Sequence, residues 1–380
     1  MRLSALLLAT LLFAASCDRE AKTPDGAEPQ VTQDATYEAA GAISAPVSDE
    51  LPGLPAPATG IAFWDHPTLS FNGLMIVATE AGVIGYSMED GVEVTRIDGV
   101  NANGLGVGYL GVGPQAAGFV AVIDGAENAF FFYGVDNQTR AFLPLNAGPS
   151  AAGVKGFCLG RGADAATPSL FAIQRGRIRI YNLAASASGV QIESEAELAA
   201  PNDLVSCAVD LEGALLAADE DGDIFRLAGE DSFAAPFERA PSVARPGPLA
   251  VIPAAMDEGA RTEGLIFLAG LGKGQVAVFD STGEALGAVV LEGTGDMPAV
   301  GAAQSFGATG ANFGALYRNG VIAFGVSGAE GGPAVRIAPA STVKNALAVP
   351  LGEPVSPRGG AAPAAADTLL IPPTELEPIE

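Results

Sequence analysis

Histidine, basic residues and cysteine are scarce in this chain. Its 380 residues include one histidine, His66, and 19 lysines and arginines against 44 aspartates and glutamates, so the formal charge is −25. A single histidine excludes zinc sites built from several histidines and argues against a Ser-His-Asp triad. Because contact with a nucleic-acid backbone requires a basic surface, the composition also argues against nucleic acid as a partner. Such acidity is typical of a highly soluble surface, and it favours attraction of cations.

Long stretches with a helical period are also missing, which argues against a parallel α/β sheet. The 49 glycines and 27 prolines instead divide the chain into many short apolar segments. These segments recur as pairs of strand-like runs, joined by a polar or glycine turn, with an aromatic residue late in the second run. The six late aromatic residues lie 44 to 54 residues apart: Tyr86, Tyr133, Tyr181, Phe225, Phe279 and Phe324.

Further short apolar segments flank each pair of runs, which gives up to four strands per repeat. A repeat of about 48 residues with four strands has the content of one propeller blade. Six such repeats account for most of residues 59–350. The sequence therefore predicts an all-β fold, a six-bladed β-propeller of four-stranded antiparallel blades. A two-sheet sandwich is the alternative, but it does not predict six similar units.

The first 17 residues have the pattern of a bacterial lipoprotein signal. Arg2 precedes an apolar run from Leu3 to Ala15, and small residues then lead to Cys17. Such a run is too short for a membrane-spanning helix. We expect Cys17 to become the lipidated N-terminus, with an ordinary cleaved signal peptide as the alternative. This predicts a lipoprotein of a Gram-negative bacterium, anchored in a membrane and facing the periplasm or the cell surface.

Composition also predicts where the folded part begins and ends. Residues 18–58 show no sustained apolar period and are predicted to be a flexible linker. Residues 351–380 are rich in alanine, proline and acid, which predicts a disordered tail. Cys158 and Cys207 both lie in short apolar runs. An export signal permits a disulfide between them, and two buried thiols are an equally open alternative.

Several motifs occur in order along residues 59–350, among them AFWDHP, LMIVATEAGVIGY, NANGLGVGY, DGAENAFFFY, ALLAADEDGDIFRL and GKGQVAVFD. In this order and spacing the chain resembles the six-bladed β-propeller phytases. The resemblance implies hydrolysis of phytate, an inositol polyphosphate, with calcium as the cofactor. Calcium would bridge the anionic substrate and the carboxylates of the protein, and basic side chains would hold the phosphates that do not react.

Many positions that match the ligand motifs of this family carry other residues here. Thr59 and Gly60 stand where the family has two aspartates, and Gly106 and Gly108 stand where it has an aspartate and an arginine. A glycine provides no side-chain ligand for a metal or a phosphate. The resemblance therefore implies a cleft that has lost many of its metal and phosphate ligands.

One acidic motif of the family is retained, and the resemblance implies a metal site at Asp219, Glu220 and Asp221. This segment is not an EF-hand loop, because the flanking helices and the distant bidentate glutamate are missing. We expect it to form or adjoin a hairpin turn. Arg175 lies at another turn, near where the family carries a lysine of the cleft, which implies contact with phosphate.

The sequence thus predicts a phytase-like propeller lipoprotein, by resemblance a calcium-dependent phosphomonoesterase with a weakly active or inactive cleft. The alternative is a non-catalytic propeller at the cell envelope that binds a small, for example anionic, ligand or an envelope protein. A third hypothesis is a propeller enzyme of another class, such as a lactonase that uses calcium through other acids.

Overall fold

The computed structural model describes residues 42–112, 115–161, 167–186, 189–228, 232–237, 243–255, 262–328, 331–352 and 354–358. The predicted signal with Cys17, residues 18–41 and residues 359–380 lie outside these described ranges. The described chain forms six sheets, and each contains four antiparallel strands. In five sheets these four strands follow one another along the chain from the centre outward. In the sixth, the outermost strand comes from the start of the described chain, and another early strand adds a fifth strand to one of the other sheets. The predicted six-bladed β-propeller is confirmed.

The first three blades follow one another along the chain. Blade 1 contains β3 (Ala58–Trp64), β4 (Leu74–Thr79), β5 (Gly82–Ser87) and β6 (Glu93–Asp98). Blade 2 contains β7 (Ala102–Gly108), β8 (Ala116–Asp124), β9 (Ala129–Asp136) and β10 (Phe142–Ser150). Blade 3 contains β11 (Gly156–Gly160), β12 (Ser169–Gln174), β13 (Arg177–Ser186) and β14 (Gly189–Ala199).

The last three blades continue the same order. Blade 4 contains β15 (Leu204–Val209), β16 (Leu215–Asp219), β17 (Ile224–Ala228) and β18 (Ser232–Phe233). Blade 5 contains β19 (Pro246–Ala255), β20 (Thr262–Gly270), β21 (Gln275–Phe279) and β22 (Ala285–Glu292). Blade 6 contains β23 (Ala303–Thr309), β24 (Val321–Ser327) and β25 (Pro333–Pro339).

The two earliest described strands complete the ring. The strand β2 (Asp49–Pro52) pairs antiparallel with β25 and is the outermost strand of blade 6. The strand β1 (Ile43–Pro46) pairs in parallel with β22, as a fifth strand of blade 5. Blade 6 therefore contains strands from both ends of the folded chain, so a single sheet closes the ring.

The boundaries of the folded part differ from the sequence prediction at both ends. Residues 43–52 were expected in the linker but form β1 and β2, and residues 354–358 of the expected tail contact blades 1 and 2. An edge strand is held mainly by backbone hydrogen bonds to its neighbour, so its composition need not show an apolar period.

Apolar side chains fill the spaces between neighbouring blades. Five of the six late aromatic residues lie on the third strand of their blades, whereas Phe324 lies on β24, the second strand of blade 6. Three of the six, Tyr181, Phe279 and Phe324, are at most 2% exposed. Each blade is twisted and has two apolar faces, so it buries both only by packing against a blade on either side. The repeated aromatic position is therefore explained by packing between blades.

The two faces of the propeller are named here by strand direction. The innermost strands β3, β7, β11, β15, β19 and β23 begin at the top face and end at the bottom face. Turns between second and third strands lie at the top, and turns between first and second strands lie at the bottom. The helix α1 (Ala340–Ala346) follows β25 at the bottom, and a short 3-10 turn spans Ser70–Asn72. Among the described residues, no helix has the length and apolar character needed to cross a membrane.

Candidate ligand-binding channel

A channel with a volume of about 560 Å³ lies between the six innermost strands. Neighbouring strands approach closely here because two positions lack a side chain. A Cβ built on Gly156 would collide with the carbonyl oxygen of Val205, and one built on Gly307 would collide with the carbonyl oxygen of Ile61. Glycine at both positions therefore allows the ring of innermost strands to close tightly around the channel.

The walls of the channel are mixed, with polar and apolar surface in nearly equal shares. The larger apolar side chains that line it from the innermost strands are half-buried: Leu105, Val107, Phe157, Leu159, Val205, Val209 and Val251. Since these strands border the channel, the exposed parts of their side chains face its interior. Polar side chains collect at the top, where the innermost strands begin: Thr59, Asn103, Lys155 and Gln304. The channel thus offers large apolar side chains within a mixed lining, below a polar rim.

A disulfide joins two of the innermost strands across the boundary between blades 3 and 4. Cys158 on β11 is bonded to Cys207 on β15, 49 residues later, and both residues line the channel. Of the two alternatives that the sequence leaves open, the structure has the disulfide. Closing a loop of this length in the unfolded chain stabilises the fold by about 4 kcal/mol. The bond therefore holds the wall of the channel at its middle.

The bottom of the channel is covered by residues near the end of the described chain. Pro357 lines the channel, and Arg358 lies over two aromatic rings, with its guanidinium 4.6 Å from the centre of Tyr109 and 5.5 Å from that of Trp64. Arg358 Nε donates to the carbonyl oxygen of Asp65 (3.0 Å), and its Nη1 donates to that of Ala117 (2.5 Å). These contacts attach the chain end to blades 1 and 2.

A buried carboxyl group lies beneath this arginine. Asp65 is 7% exposed, and its Oδ2 accepts a hydrogen bond from Ser356 Oγ (2.7 Å). Burial raises the pKa of Asp65, and this effect exceeds the opposite effects of the Ser356 hydroxyl and the charge of Arg358. Burial likewise lowers the pKa of the Arg358 guanidinium. Removing both charged groups from water therefore costs free energy, which their hydrogen bonds and ring contacts have to offset. Such an arrangement is typical of a structural attachment.

The only histidine is occupied by structural hydrogen bonds. His66 Nδ1 accepts from the backbone N–H groups of Thr68 (3.2 Å) and Leu69 (3.1 Å), which leaves Nε2 to donate to the carbonyl oxygen of Asn137 (2.9 Å). Burial lowers the pKa of the ring, so the neutral form is favoured. Its edge also contacts Trp64. With both nitrogens engaged, His66 is not placed to act as a general base.

The predicted metal ligands lie at the top of blade 4, in the turn between β16 and β17. Asp219 Oδ1 accepts from the N–H groups of Asp221 (3.0 Å) and Asp223 (2.8 Å), and Gly222 has a φ of +88° that allows the tight turn. Burial, followed by the neighbouring carboxylates, raises the pKa of Asp219. The expected hairpin turn is thus present, and Asp219 stabilises it.

The other predicted ligands do not join Asp219 in a coordination site. Glu220 forms an ion pair with Lys155 at 3.1 Å, across the boundary between blades 3 and 4. Arg175 lies exposed at the turn between β12 and β13. Throughout the described ranges, no group of three or more His, Cys, Asp or Glu side chains has an arrangement that could hold a metal ion. The side chains present therefore do not fit the calcium site that the resemblance implies.

Sequence reasoning did not identify Ser356 and Arg358. They lie in the stretch EPVSPRGG, whose composition predicts disorder and whose single arginine has no distinguishing neighbour. Tyr109 and Trp64 are part of the motifs that carry the resemblance, but nothing in their spacing indicates that an arginine from the end of the chain lies between them.

No protein-family model matches this chain, and no curated protein matches it. Solved structures do match. The structure titled U3-55K aligns with 78% of this chain and 100% of its own, at 13% identity and a TM-score of 0.43. The β-propeller domain of Cps50 (Swd1) from Myceliophteria thermophila aligns with 76% of this chain and 86% of its own, at 14% identity and a TM-score of 0.41. Hsv2 from Kluyveromyces lactis aligns with 70% of this chain and 72% of its own, at 10% identity and a TM-score of 0.37. Similarity at this level gives no information on function.

Proposed function

We propose that this protein is a non-catalytic propeller that binds a small, compact molecule with both apolar and polar groups in its central channel. The observation that carries the proposal is the channel itself, which has a volume of about 560 Å³, a mixed lining and Pro357 among its lining residues. Sites for small molecules are mostly apolar concavities of about 300–1,000 Å³. The ligand would enter from the top and place its polar groups at the rim.

Phytate fits this channel poorly. It is a polyanion, whereas Lys155 is the single lysine or arginine among the residues that line the channel, and the chain has a formal charge of −25. Long-range repulsion would slow the approach of phytate. The acids that could have recruited calcium serve other contacts, since Asp219 holds its own turn and Glu220 pairs with Lys155. The calcium-dependent hydrolysis that the resemblance implies is therefore not the function we propose.

The proposal includes export and attachment to the cell envelope through a lipid on Cys17. That residue lies outside the described ranges, so support comes from elsewhere in the chain. Disulfides persist in oxidising compartments such as the periplasm, and Cys158 and Cys207 form one. If the anchor is correct, Cys17→Ser releases the protein from membranes into the soluble fraction. Retention of the variant in the membrane fraction would contradict the anchor.

Binding in the channel is testable with the neutral dye Nile red, which the acidic chain does not repel. We expect its fluorescence to rise on binding, and we expect Val107→Trp and Val205→Trp to weaken binding about tenfold because each fills the channel. Leu211→Trp is the control, since Leu211 is exposed in a turn of blade 4, outside the channel. Thermal unfolding of each variant verifies that it folds.

Two results would overturn the proposal. The first is unchanged dye affinity in both folded channel variants, which would place the dye elsewhere. The second is release of phosphate from phytate with calcium binding in calorimetry, which would restore the enzyme hypothesis.

A further inference from the structure

A second concave surface lies on the bottom face, between blades 6 and 1. This bottom groove has a volume of about 500 Å³. Its floor is made of five buried side chains: Met75, Met88, Phe313, Tyr317 and Ile337. Phe71 and Leu316 form its walls and are 44% and 54% exposed. Such large apolar side chains are costly to leave in water, so together they indicate a surface for contact.

The rim of the bottom groove is acidic. Asp49, Glu89 and Asp90 are exposed and line it, and Glu50 lines it too but pairs with Arg336 at 2.9 Å. None of the sixteen residues that line the groove is lysine or arginine. An apolar floor bordered by carboxylates is complementary to a segment with apolar side chains on one face and basic side chains beside them.

We propose that the bottom groove is a docking site for a basic amphipathic peptide segment of a partner protein. One or two large apolar side chains of that segment fill the space between Phe71 and Leu316, and its lysines or arginines lie against Asp49, Glu89 and Asp90. This proposal is independent of the channel, because no residue lines both the channel and the bottom groove.

The side chains that form the floor of the bottom groove suit an apolar peptide side chain. Met75 and Met88 are two of the five methionines of the chain, and flexible thioether side chains adapt to varied apolar partners. The positive charge of Arg140 attracts the carboxylate of Asp90, but Arg140 is not among the residues that line the groove. Charge also selects among occupants. A second copy of this chain, with its formal charge of −25, and the acidic residues 359–380 would both be repelled by the rim.

The experiment uses a fluorescently labelled model peptide made of leucine and lysine at helical spacing, with binding to the whole protein followed by anisotropy. We expect Phe71→Ser and Leu316→Ser each to weaken binding about tenfold, because each removes an exposed wall of the pocket for the apolar side chain. Both positions are exposed, so the fold tolerates the change. Glu89→Gln with Asp90→Asn should weaken binding several-fold at low salt and less at ~0.3 M salt.

A matched control distinguishes the groove from general attraction to an acidic protein. Glu127→Gln with Asp221→Asn removes the same charge from exposed turns at the top face, and we expect little change. Equal loss in the two charge variants, or equal binding of a peptide with glutamine in place of lysine, would overturn the proposal. A third result would also overturn it: deletion of residues 359–380 raises the affinity for the peptide, and Leu316→Ser abolishes that rise. The occupant of the groove would then be the end of this chain.

Discussion

At the bottom of the channel, Arg358 and Asp65 are largely removed from water and are held by aromatic rings, a hydroxyl and backbone carbonyls. At the top, Lys155 and Glu220 pair at 3.1 Å with side chains that are 34% and 63% exposed. A buried charge is costly without its partners, whereas an exposed pair exchanges its contacts for water at little cost. The contacts at the bottom are therefore costly to break, and the pair at the top can exchange its contacts for water.

The disulfide lies between these two ends, and breaking it should have the largest effect. Cys158→Ala with Cys207→Ala is expected to lower the free energy of unfolding by about 4 kcal/mol, because the unfolded chain regains the freedom of a long loop. Denaturant unfolding measures the change. Reduction of the wild-type protein should reproduce it, and equal stability of the fully reduced protein would contradict this role.

Arg358→Ala should have the next largest effect. It removes two ring contacts and several hydrogen bonds to buried carbonyl groups, so we expect a loss of about 2 to 3 kcal/mol in the free energy of unfolding. Arg175→Ala is the matched control, since it removes an exposed arginine from a top-face turn and should change stability little. Similar losses in the two variants would refute the contrast between the ends.

A second buried cation at the bottom allows a test by pH. Lys344 on α1 is 1% exposed, its Nζ donates to the carbonyl oxygen of Pro253 (2.6 Å), and burial lowers its pKa to about 8 from 10.5. The folded state thus holds this proton less tightly than the unfolded chain, so the charged form costs stability below about pH 8, and stability rises as the pH increases toward 10.5.

Replacement of this lysine should remove that rise. Between pH 7 and pH 10 we expect the stability of the wild type relative to Lys344→Met to increase by about 2 kcal/mol. Parallel pH profiles for the wild type and Lys344→Met would show that this lysine titrates normally.

The smallest effect is expected at the top. Lys155→Ala and Glu220→Gln should each cost less than about 1 kcal/mol in the free energy of unfolding, and a double-mutant cycle should give a coupling of ~0.5 kcal/mol that falls with added salt. A coupling of several kcal/mol would show that the pair at the top is held as firmly as the contacts at the bottom. It would contradict the proposed entrance at the top.

The number of blades was predictable because packing repeats. Tyr86, Tyr181 and Phe279 mark equivalent third strands, and each packs against a neighbouring blade for the same local reason. Asp219 was correctly expected at a hairpin turn for a similar reason, since acids and glycine in that order favour such a turn whatever surrounds them. Its role as a metal ligand was inferred from resemblance and stays a prediction, while its Oδ1 accepts two backbone hydrogen bonds within the turn.

The position of Arg358 was not predictable, because its partners lie more than two hundred residues away along the chain. The pairing of Cys158 with Cys207 stayed open for the same reason, since the two thiols are visible in the sequence but their separation in space is not. The edge strands β1 and β2 were also missed, because their place depends on backbone groups that other blades leave unpaired.

The sequence by itself determined the all-β repeat, the six blades and the acidic surface, since strand period, turn residues and charge are local properties. Only the tertiary structure decided which wall residues face the channel, which end is covered and where the ring closes. These features require residues distant in the chain to meet, and their contact energies depend on burial that no single segment produces alone.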